Sequence, residues 1–242
     1  MPAATQEARE LYEGGEYAAR HSDWHLADAP DKARDLMPGL RAVVKDLGGG
    51  RLRIADVGAG VGGVLVELTR LAREEFAGIE LDATAFEFAP EPVKMAREKF
   101  PDLRIHQRLL QADDGPFDVV VLADVLEHLE NPWELLRLVG RVSKYLLVRQ
   151  PLLESLGCFR SNGYANQRET WGHIGFFNVR SFRDMLAATG WAPLKTDLVA
   201  WWELSGKQPC RNPLKRMLVR WNRELASILI SGFYFNGALK RA

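Results

Sequence analysis

The chain has 242 residues, 47% of them hydrophobic, and its 32 basic residues balance 32 acidic residues. This composition is sufficient for one sizeable core, so we expect a single domain over residues 1–242, and the neutral balance excludes a global field that would attract nucleic acid. Two cysteines exclude a disulfide framework, no apolar run is long enough to span a bilayer, and the N-terminus is polar; these features predict a cytoplasmic protein.

The first predicted element is a helix that ends at the glycine run 48–50. Apolar residues fall at helical spacing before these glycines, and Asp31 is a candidate N-cap. Because the periodicity changes at this point, we predict that residues 1–48 form an N-terminal helical cap that packs against a sheet. The apolar residues of this helix are Leu36, Leu40, Val43, Val44 and Leu47.

Two histidines in this cap have the spacing of metal ligands. His21 and His25 are four residues apart, as on one helix face, but no third ligand accompanies them at a recognisable spacing. We therefore expect no metal site. Tyr17, Trp24 and His25 are instead candidates for a lid over a bound ligand, and an amphipathic helix that packs on the domain is the alternative.

Strands and helices alternate after residue 50. This alternation predicts a Rossmann-type α/β fold, with a mostly parallel seven-stranded sheet and helices on both faces, in addition to the N-terminal helical segment. The predicted helices are Gly63 to Leu71, Pro92 to Phe100, Pro132 to Val142 and Phe182 to Thr189, the last with Ser181 as its N-cap. The predicted strands are Leu52 to Val57, Phe76 to Leu81, Leu103 to His106, Phe117 to Leu122, Tyr145 to Arg149, Leu194 to Ala200 and Phe233 to Leu239.

A glycine-rich turn between the first strand and the next helix carries the clearest chemical signal. Glycines in the stretch 54–63 leave no Cβ between the main chain and a bound nucleoside, and the helix N-terminus presents free N–H groups. About twenty residues further on, Glu80 ends the second predicted strand, where a carboxylate can accept hydrogen bonds from both ribose hydroxyls. Gly58, Gly60 and Gly63 also fit the dinucleotide pattern, so a nicotinamide-dependent oxidoreductase is an alternative.

Asp56 favours a different ligand, because a carboxylate beside the turn suits an ammonium or sulfonium group and is unfavourable beside a pyrophosphate. The D-x-G-x-G-x-G spacing from Asp56 to Gly62, followed by Glu80, resembles the S-adenosylmethionine site of class I methyltransferases. This resemblance implies S-adenosylmethionine as the cofactor and S-adenosylhomocysteine as the product. The predicted cofactor-binding residues are Asp56, Val57, Gly58, Ala59, Gly60, Gly62, Glu80, Leu81, Asp124 and Val125.

Residues 117–132 resemble the fourth strand and the following turn of the same superfamily. Asp124 lies just past the carboxyl end of this strand, where ligands of open α/β sheets bind, and His128 follows one helical turn later. The resemblance implies that residues 49–150 bind the cofactor, that 151–180 form an acceptor-side loop or lid, and that 181–242 supply the remaining sheet and helices. Its outer parts are similar to methyltransferases of glycan or small-molecule biosynthesis.

Two histidines are the candidate catalytic residues. Methyl transfer from a sulfonium requires alignment of acceptor and methyl group, and a hydroxyl acceptor must also lose a proton. Histidine titrates near neutrality, and His128 and His173 lie in the appropriate segments. A structural role is the alternative for each of them. The sequence therefore predicts methylation of a hydroxyl or amine of a small molecule or glycan.

Three features leave alternatives open. A methyltransferase-like partner protein without catalysis would keep the same motifs. The basic amphipathic pattern from Arg211 to Arg223 permits weak contact with an anionic lipid surface, without stable insertion, or indicates a solvated packing helix. Trp171, Trp201 and Trp202 fit either the wall of an acceptor pocket or the core. These patterns do not determine the oligomeric state.

Overall fold

The fold is built on a single sheet in a computed structural model that describes residues 23–24 and 26–242. Its strands are β1 (Arg51–Val57), β2 (Glu80–Glu87), β3 (Arg104–Gln107), β4 (Phe117–Ala123), β5 (Ser143–Leu152), β6 (Trp191–Ala200) and β7 (Phe233–Arg241). They lie in the order β3-β2-β1-β4-β5-β7-β6, and β7 runs antiparallel to both of its neighbours while the other pairs are parallel. The predicted mostly parallel, seven-stranded α/β fold is confirmed.

Helices pack on both faces of this sheet. None of the helices among the described residues combines the length and the apolar composition needed to cross a bilayer. They are α1 (Ala29–Leu47), α2 (Gly63–Glu75), α3 (Pro90–Lys99), α4 (Pro132–Val142), α5 (Leu156–Arg160), α6 (Gly163–Trp171), α7 (Val179–Ala188), α8 (Pro213–Trp221) and α9 (Arg223–Leu229).

The sheet has a hydrophobic core on each face because successive residues of its central strands point to opposite sides. Val119 and Val121 of β4 pack with residues of α1 and α2, whereas Val120 and Leu122 pack with residues of α4 and α7. All four side chains are fully buried, which explains why this strand is continuously apolar. Helices cover the sheet on both faces, and the carboxyl ends of its parallel strands lie together at one end of the sheet.

The second strand differs from its prediction. The predicted strand Phe76 to Leu81 is wrong, because β2 only begins at Glu80. Phe76 and Ile79 pack against the core from the connection that precedes the strand, where Gly78 adopts a φ of 77°. Glu80 then pairs with Arg51, the first residue of β1. Glu80 and Leu81 therefore lie at the amino end of β2, not at its carboxyl end.

Residues 151–178 contain more regular structure than the sequence predicts. The helices α5 and α6 occupy much of this stretch, which was predicted as a loop. The cap of α7 is also shifted, since the side chain of Asn178 accepts hydrogen bonds from the amides of Arg180 and Ser181. Ser181 is thus inside the helix, and Asp28 rather than Asp31 precedes α1.

The predicted lid and the predicted histidine pair of the N-terminal cap fall largely outside the described residues. Tyr17, His21 and His25 are not among them, so the roles of these residues remain predictions. Trp24 is described and lies in the wall of the cavity that holds the candidate site. The four-part division of the chain likewise remains a prediction.

Candidate functional site

A cavity of about 860 Å³ opens at the carboxyl ends of the parallel strands. Its wall includes the last residues of β1 and β2 and the residues that follow β4, together with parts of α1 and of the helices after β5. Ligands of open α/β sheets bind at this edge because the loops that follow the strands diverge there. Of the predicted cofactor-binding residues, those that line the cavity are Asp56, Val57, Gly58, Ala59, Gly60, Asp124 and Val125.

The glycine turn brings bare backbone to this cavity. Gly58 and Gly60 both have positive φ, and the amide of Gly58 donates to the carbonyl of Phe86 at 2.9 Å. A Cβ added to Gly58 would lie 3.0 Å from Val125, so a larger residue would displace the neighbouring wall. Gly62 does not line the cavity; with a φ of 80° it is the N-cap of α2, a structural position. The cofactor role predicted for Gly62 is therefore not supported by its placement.

The carboxylate at the end of β2 is Glu87. Its Oε2 accepts a hydrogen bond from the amide of Gly60 and its Oε1 accepts one from the amide of Ala89, each at 2.9 Å. Burial raises the pKa of this carboxyl, which is 8% exposed. Glu80 was predicted to end this strand. It lies instead at the amino end of β2, away from the cavity, and is 68% exposed beside Arg51. The predicted site roles of Glu80 and Leu81 are corrected accordingly.

Asp56 is a second buried carboxyl in the same wall. It is 2% exposed, and burial together with the negative charge of Glu87 raises its pKa to about 7, while the charge of Lys32 acts in the opposite direction. Two carboxyls this deeply buried near one glycine turn favour a ligand that carries positive charge. The arrangement also disfavours a pyrophosphate, which would add negative charge here.

An ion-pair network fixes the residue that follows β4. Asp124 adopts a φ of 57° and forms ion pairs with Arg149 of β5 and, at 3.0 Å, with Nζ of Lys32 on α1. Burial opposes ionisation, but the two cations outweigh it and lower the pKa of Asp124. The Asp124 carboxylate thus favours the ionised form, and its pair with Lys32 ties α1 to the cavity. The sequence prediction missed Lys32 and Arg149, because only tertiary packing brings them to this site.

Next to this network, Glu127 is a fully buried carboxyl that the sequence prediction also missed. Its Oε2 accepts a hydrogen bond from Nε2 of Gln150 at 3.0 Å, and its Oε1 lies 4.0 Å from Nε2 of His173. Its main-chain carbonyl accepts the amides of residues 174 and 175, each at 2.8 Å, so one residue positions the whole His173 segment. Burial, followed by the charge of Asp124, raises the pKa of Glu127. The sequence did contain a signal for Glu127, because an acidic residue within an apolar stretch indicates a buried carboxyl that needs polar partners.

The two predicted catalytic histidines meet in the cavity wall. The ring centroids of His128 and His173 are 4.9 Å apart, and Nδ1 of His128 lies 3.3 Å from the carbonyl of Gly172. Burial, followed by the charge of His173, lowers the pKa of His128 to about 3. His128 is thus a weaker proton acceptor than an ordinary histidine. Glu127 and His173 together are better placed to accept a proton from a bound acceptor.

Glu127, His128 and His173 also form a donor set for a cation. One ligand atom from each lies within 4.8 Å of the others. No metal site was expected from the sequence, and this group is the position among the described residues where one fits. The arrangement can therefore either transfer a proton or hold a divalent ion.

Aromatic side chains also line the cavity. Phe86 and the guanidinium of Arg108, 5.2 Å from its ring centroid, lie beside Glu87. The wall also contains Trp171, Trp201, Trp202 and Tyr234.

A sequence profile described as a methyltransferase domain matches residues 25–196. The chain belongs to this methyltransferase family. The predicted methyltransferase family is therefore confirmed, and solved methyltransferases with bound SAH share the fold of this chain.

Two kinds of relative resemble this chain. The ubiquinone biosynthesis O-methyltransferase of Xanthomonas oryzae pv. oryzae (strain PXO99A) is 30% identical over 140 residues, which are 53% of this chain and 54% of that protein. The chain thus spans about half the length of the curated relatives it matches. Among solved structures, the plantazolicin methyltransferase in complex with a desmethyl analogue and SAH has a TM-score of 0.65 at 12% identity, covering 97% of this chain and 93% of that chain. The magnesium protoporphyrin IX methyltransferase of Synechocystis PCC 6803 with bound SAH has a TM-score of 0.59 at 13% identity, covering 96% of each chain.

Proposed function

We propose that this protein transfers a methyl group from S-adenosylmethionine to a hydroxyl group of an aromatic small molecule. The observation that carries the proposal is the pair of buried carboxyls, Asp56 and Glu87, on either side of bare backbone at Gly58 and Gly60. The residues present fit the cofactor. A nucleoside can approach where no Cβ intervenes, and the pKa of Asp56, about 7, allows that carboxyl to ionise beside a cationic ligand.

In this proposal one part of the cavity binds the cofactor and another binds the acceptor. Glu87 accepts hydrogen bonds from the ribose hydroxyls, and Asp56 faces the ammonium and sulfonium end of the ligand. The indoles of Trp171, Trp201 and Trp202 line the acceptor half. Aromatic walls suit planar acceptors, and the curated relatives named as O-methyltransferases support a hydroxyl as the atom that is methylated.

S-adenosylmethionine, when bound, would supply an electrophilic methyl group and a neutral thioether as the leaving group. The protein aligns the acceptor oxygen with that methyl group and receives the hydroxyl proton. We assign this proton to the Glu127–His173 pair, whose Oε1 and Nε2 atoms lie 4.0 Å apart in the cavity wall. Asp124, held anionic by Lys32 and Arg149, stabilises the positive charge that develops on the pair.

A methyl-transfer assay with a panel of phenols and catechols tests this function. The parent protein should form S-adenosylhomocysteine only when an acceptor is present. Glu127→Gln and His173→Ala should each lower kcat about 100-fold or more while the calorimetric affinity for S-adenosylhomocysteine stays within about twofold. Binding without turnover on any acceptor would instead favour a non-catalytic partner protein. Thermal stabilisation by NADH but not by S-adenosylhomocysteine would favour an oxidoreductase.

A further inference from the structure

Helix α8 presents a stripe of large apolar side chains to solvent. Leu214, Met217 and Trp221 occupy positions i, i+3 and i+7 on one face and are 69%, 63% and 74% exposed. Val219 is the buried residue of this helix. A helix that only packs on a domain would turn its apolar stripe inward, so this exposed stripe requires another explanation.

The exposed apolar residues are concentrated in one part of the molecule. All of the large apolar side chains that are exposed in the described residues belong to positions 156–171 and 201–229. Helix α9 contacts both α8 and α5, and α5 carries Leu156 and Phe159, the latter 71% exposed. These residues form what we call the apolar rim, which consists of Leu156, Phe159, Trp171, Trp201, Leu214, Met217, Trp221 and Leu229.

The apolar rim borders the acceptor half of the cavity. Trp171 and Trp201 belong both to the rim and to the cavity wall. Cys158 of α5 and Lys215 of α8 line the same cavity, so two of the helices that carry the rim contribute to its wall. The rim surface is therefore continuous with the cavity wall at Trp171 and Trp201.

The charge beside the rim has one sign. Residues 207–223 contain Lys and Arg at six positions and no Asp or Glu, although the whole chain has a net charge of +0. Within the part of the chain that the structure describes, Arg211, Lys215, Arg216 and Arg220 form no ion pair. On the helix, Arg216 and Arg220 flank one side of the apolar stripe and Lys215 flanks the other. Cations on both sides of an apolar stripe are complementary to anionic lipid headgroups above an acyl region.

We infer that α8 and the apolar rim dock this methyltransferase on a bilayer surface that contains anionic phospholipid, so that a lipid-soluble acceptor enters the cavity from the membrane. The acceptor half of this inference rests on the proposed function, whereas the docking half does not. Trp221 and Trp201 suit the interface because an indole combines an apolar ring with a polar N–H group. The helix lies on the surface and does not span it.

Vesicle sedimentation measures the docking. We expect the protein to bind vesicles of phosphatidylcholine with about a quarter phosphatidylglycerol and not vesicles of phosphatidylcholine alone, and to dissociate when the ionic strength rises from about 0.1 M to about 1 M. Arg216→Gln with Arg220→Gln should weaken binding about 25-fold, or about fivefold for each cation removed. Replacing both Met217 and Trp221 with Ser should abolish it.

A matched control removes exposed cations elsewhere. Arg97→Gln with Lys99→Gln on α3 should change vesicle binding by less than about twofold, because α3 packs beside β3 at the other end of the sheet. Every variant should keep the urea unfolding midpoint of the parent, which shows that it is folded without reference to the cofactor.

Three results would overturn the docking inference: no binding of the parent to the anionic vesicles, equal losses in the α3 control, or a dimer in light scattering that the Met217 and Trp221 substitutions dissociate. The dimer would assign the rim to a second copy of this chain. Vesicle binding without methyl transfer to any acceptor would refute the proposed function alone. Methyl transfer to soluble acceptors without vesicle binding would refute the docking alone.

Discussion

Replacing Glu87 with Gln removes one negative charge from the cavity and preserves the size of the side chain. Both carboxylate oxygens of Glu87 are engaged, since they accept the amides of Gly60 and Ala89 at 2.9 Å. A glutamine has one acceptor oxygen, so one of these amides loses its partner. The proposed hydrogen bonds to the ribose also lose their charged acceptor.

The size of the effect follows from the hydrogen bonds to this carboxylate. A hydrogen bond to a charged group contributes about 1.5–3 kcal/mol, so the loss of one to the ligand should weaken S-adenosylhomocysteine binding about 10- to 150-fold. Because burial raises the pKa of Glu87, the neutral side chain also relieves an unfavourable buried charge. The variant should therefore fold.

Isothermal titration with S-adenosylhomocysteine measures this change. Glu80→Gln is the matched control, because Glu80 is 68% exposed at the opposite edge of the sheet and its loss should change affinity by less than about twofold. Equal losses in the two variants, or an unchanged affinity in Glu87→Gln, would refute the assignment of Glu87 to the cofactor.

Three further perturbations address the other charged groups. Below the Asp56 pKa of about 7, affinity for S-adenosylhomocysteine should fall by up to about tenfold per pH unit, because its ammonium group favours the ionised carboxyl; calorimetry of Asp56→Asn should give a flat profile, and a sloping one would contradict this role. Asp124→Ala should lower the free energy of unfolding in urea by about 3–5 kcal/mol, because a buried guanidinium loses its nearest carboxylate. Asp197→Ala breaks an exposed ion pair with Lys195 and should lower the free energy of unfolding by less than about 1 kcal/mol. Similar losses of stability in Asp124→Ala and Asp197→Ala would show that the Asp124 network does not behave as a buried one. Methyl transfer should persist in EDTA if Glu127 and His173 act by proton transfer, whereas a loss that Mn²⁺ restores would assign them to a metal site.

The regular elements were predictable where local pattern and tertiary packing agree. The predicted helix Pro132 to Val142 matches α4, because Asn131, whose side chain accepts the amide of Glu134, and the apolar face that follows are both visible in the sequence. The second strand was misplaced because Phe76 and Ile79 are apolar and adjacent to it, yet pack in the preceding connection. Because of this error, the ribose-binding carboxylate was expected at Glu80, at the amino end of β2, and not at Glu87, at its carboxyl end.

The sequence by itself determined the fold class, the glycine turn and the acid beside it, because these depend on residue types at short, fixed spacing. Only the tertiary structure decided which distant groups share the cavity. Lys32 reaches Asp124 from a helix more than ninety residues earlier, and His173 reaches Glu127 from a stretch after β5 that was predicted as a loop. Such contacts depend on how helices dock on the sheet, and docking is set by the burial of whole faces rather than by any local motif.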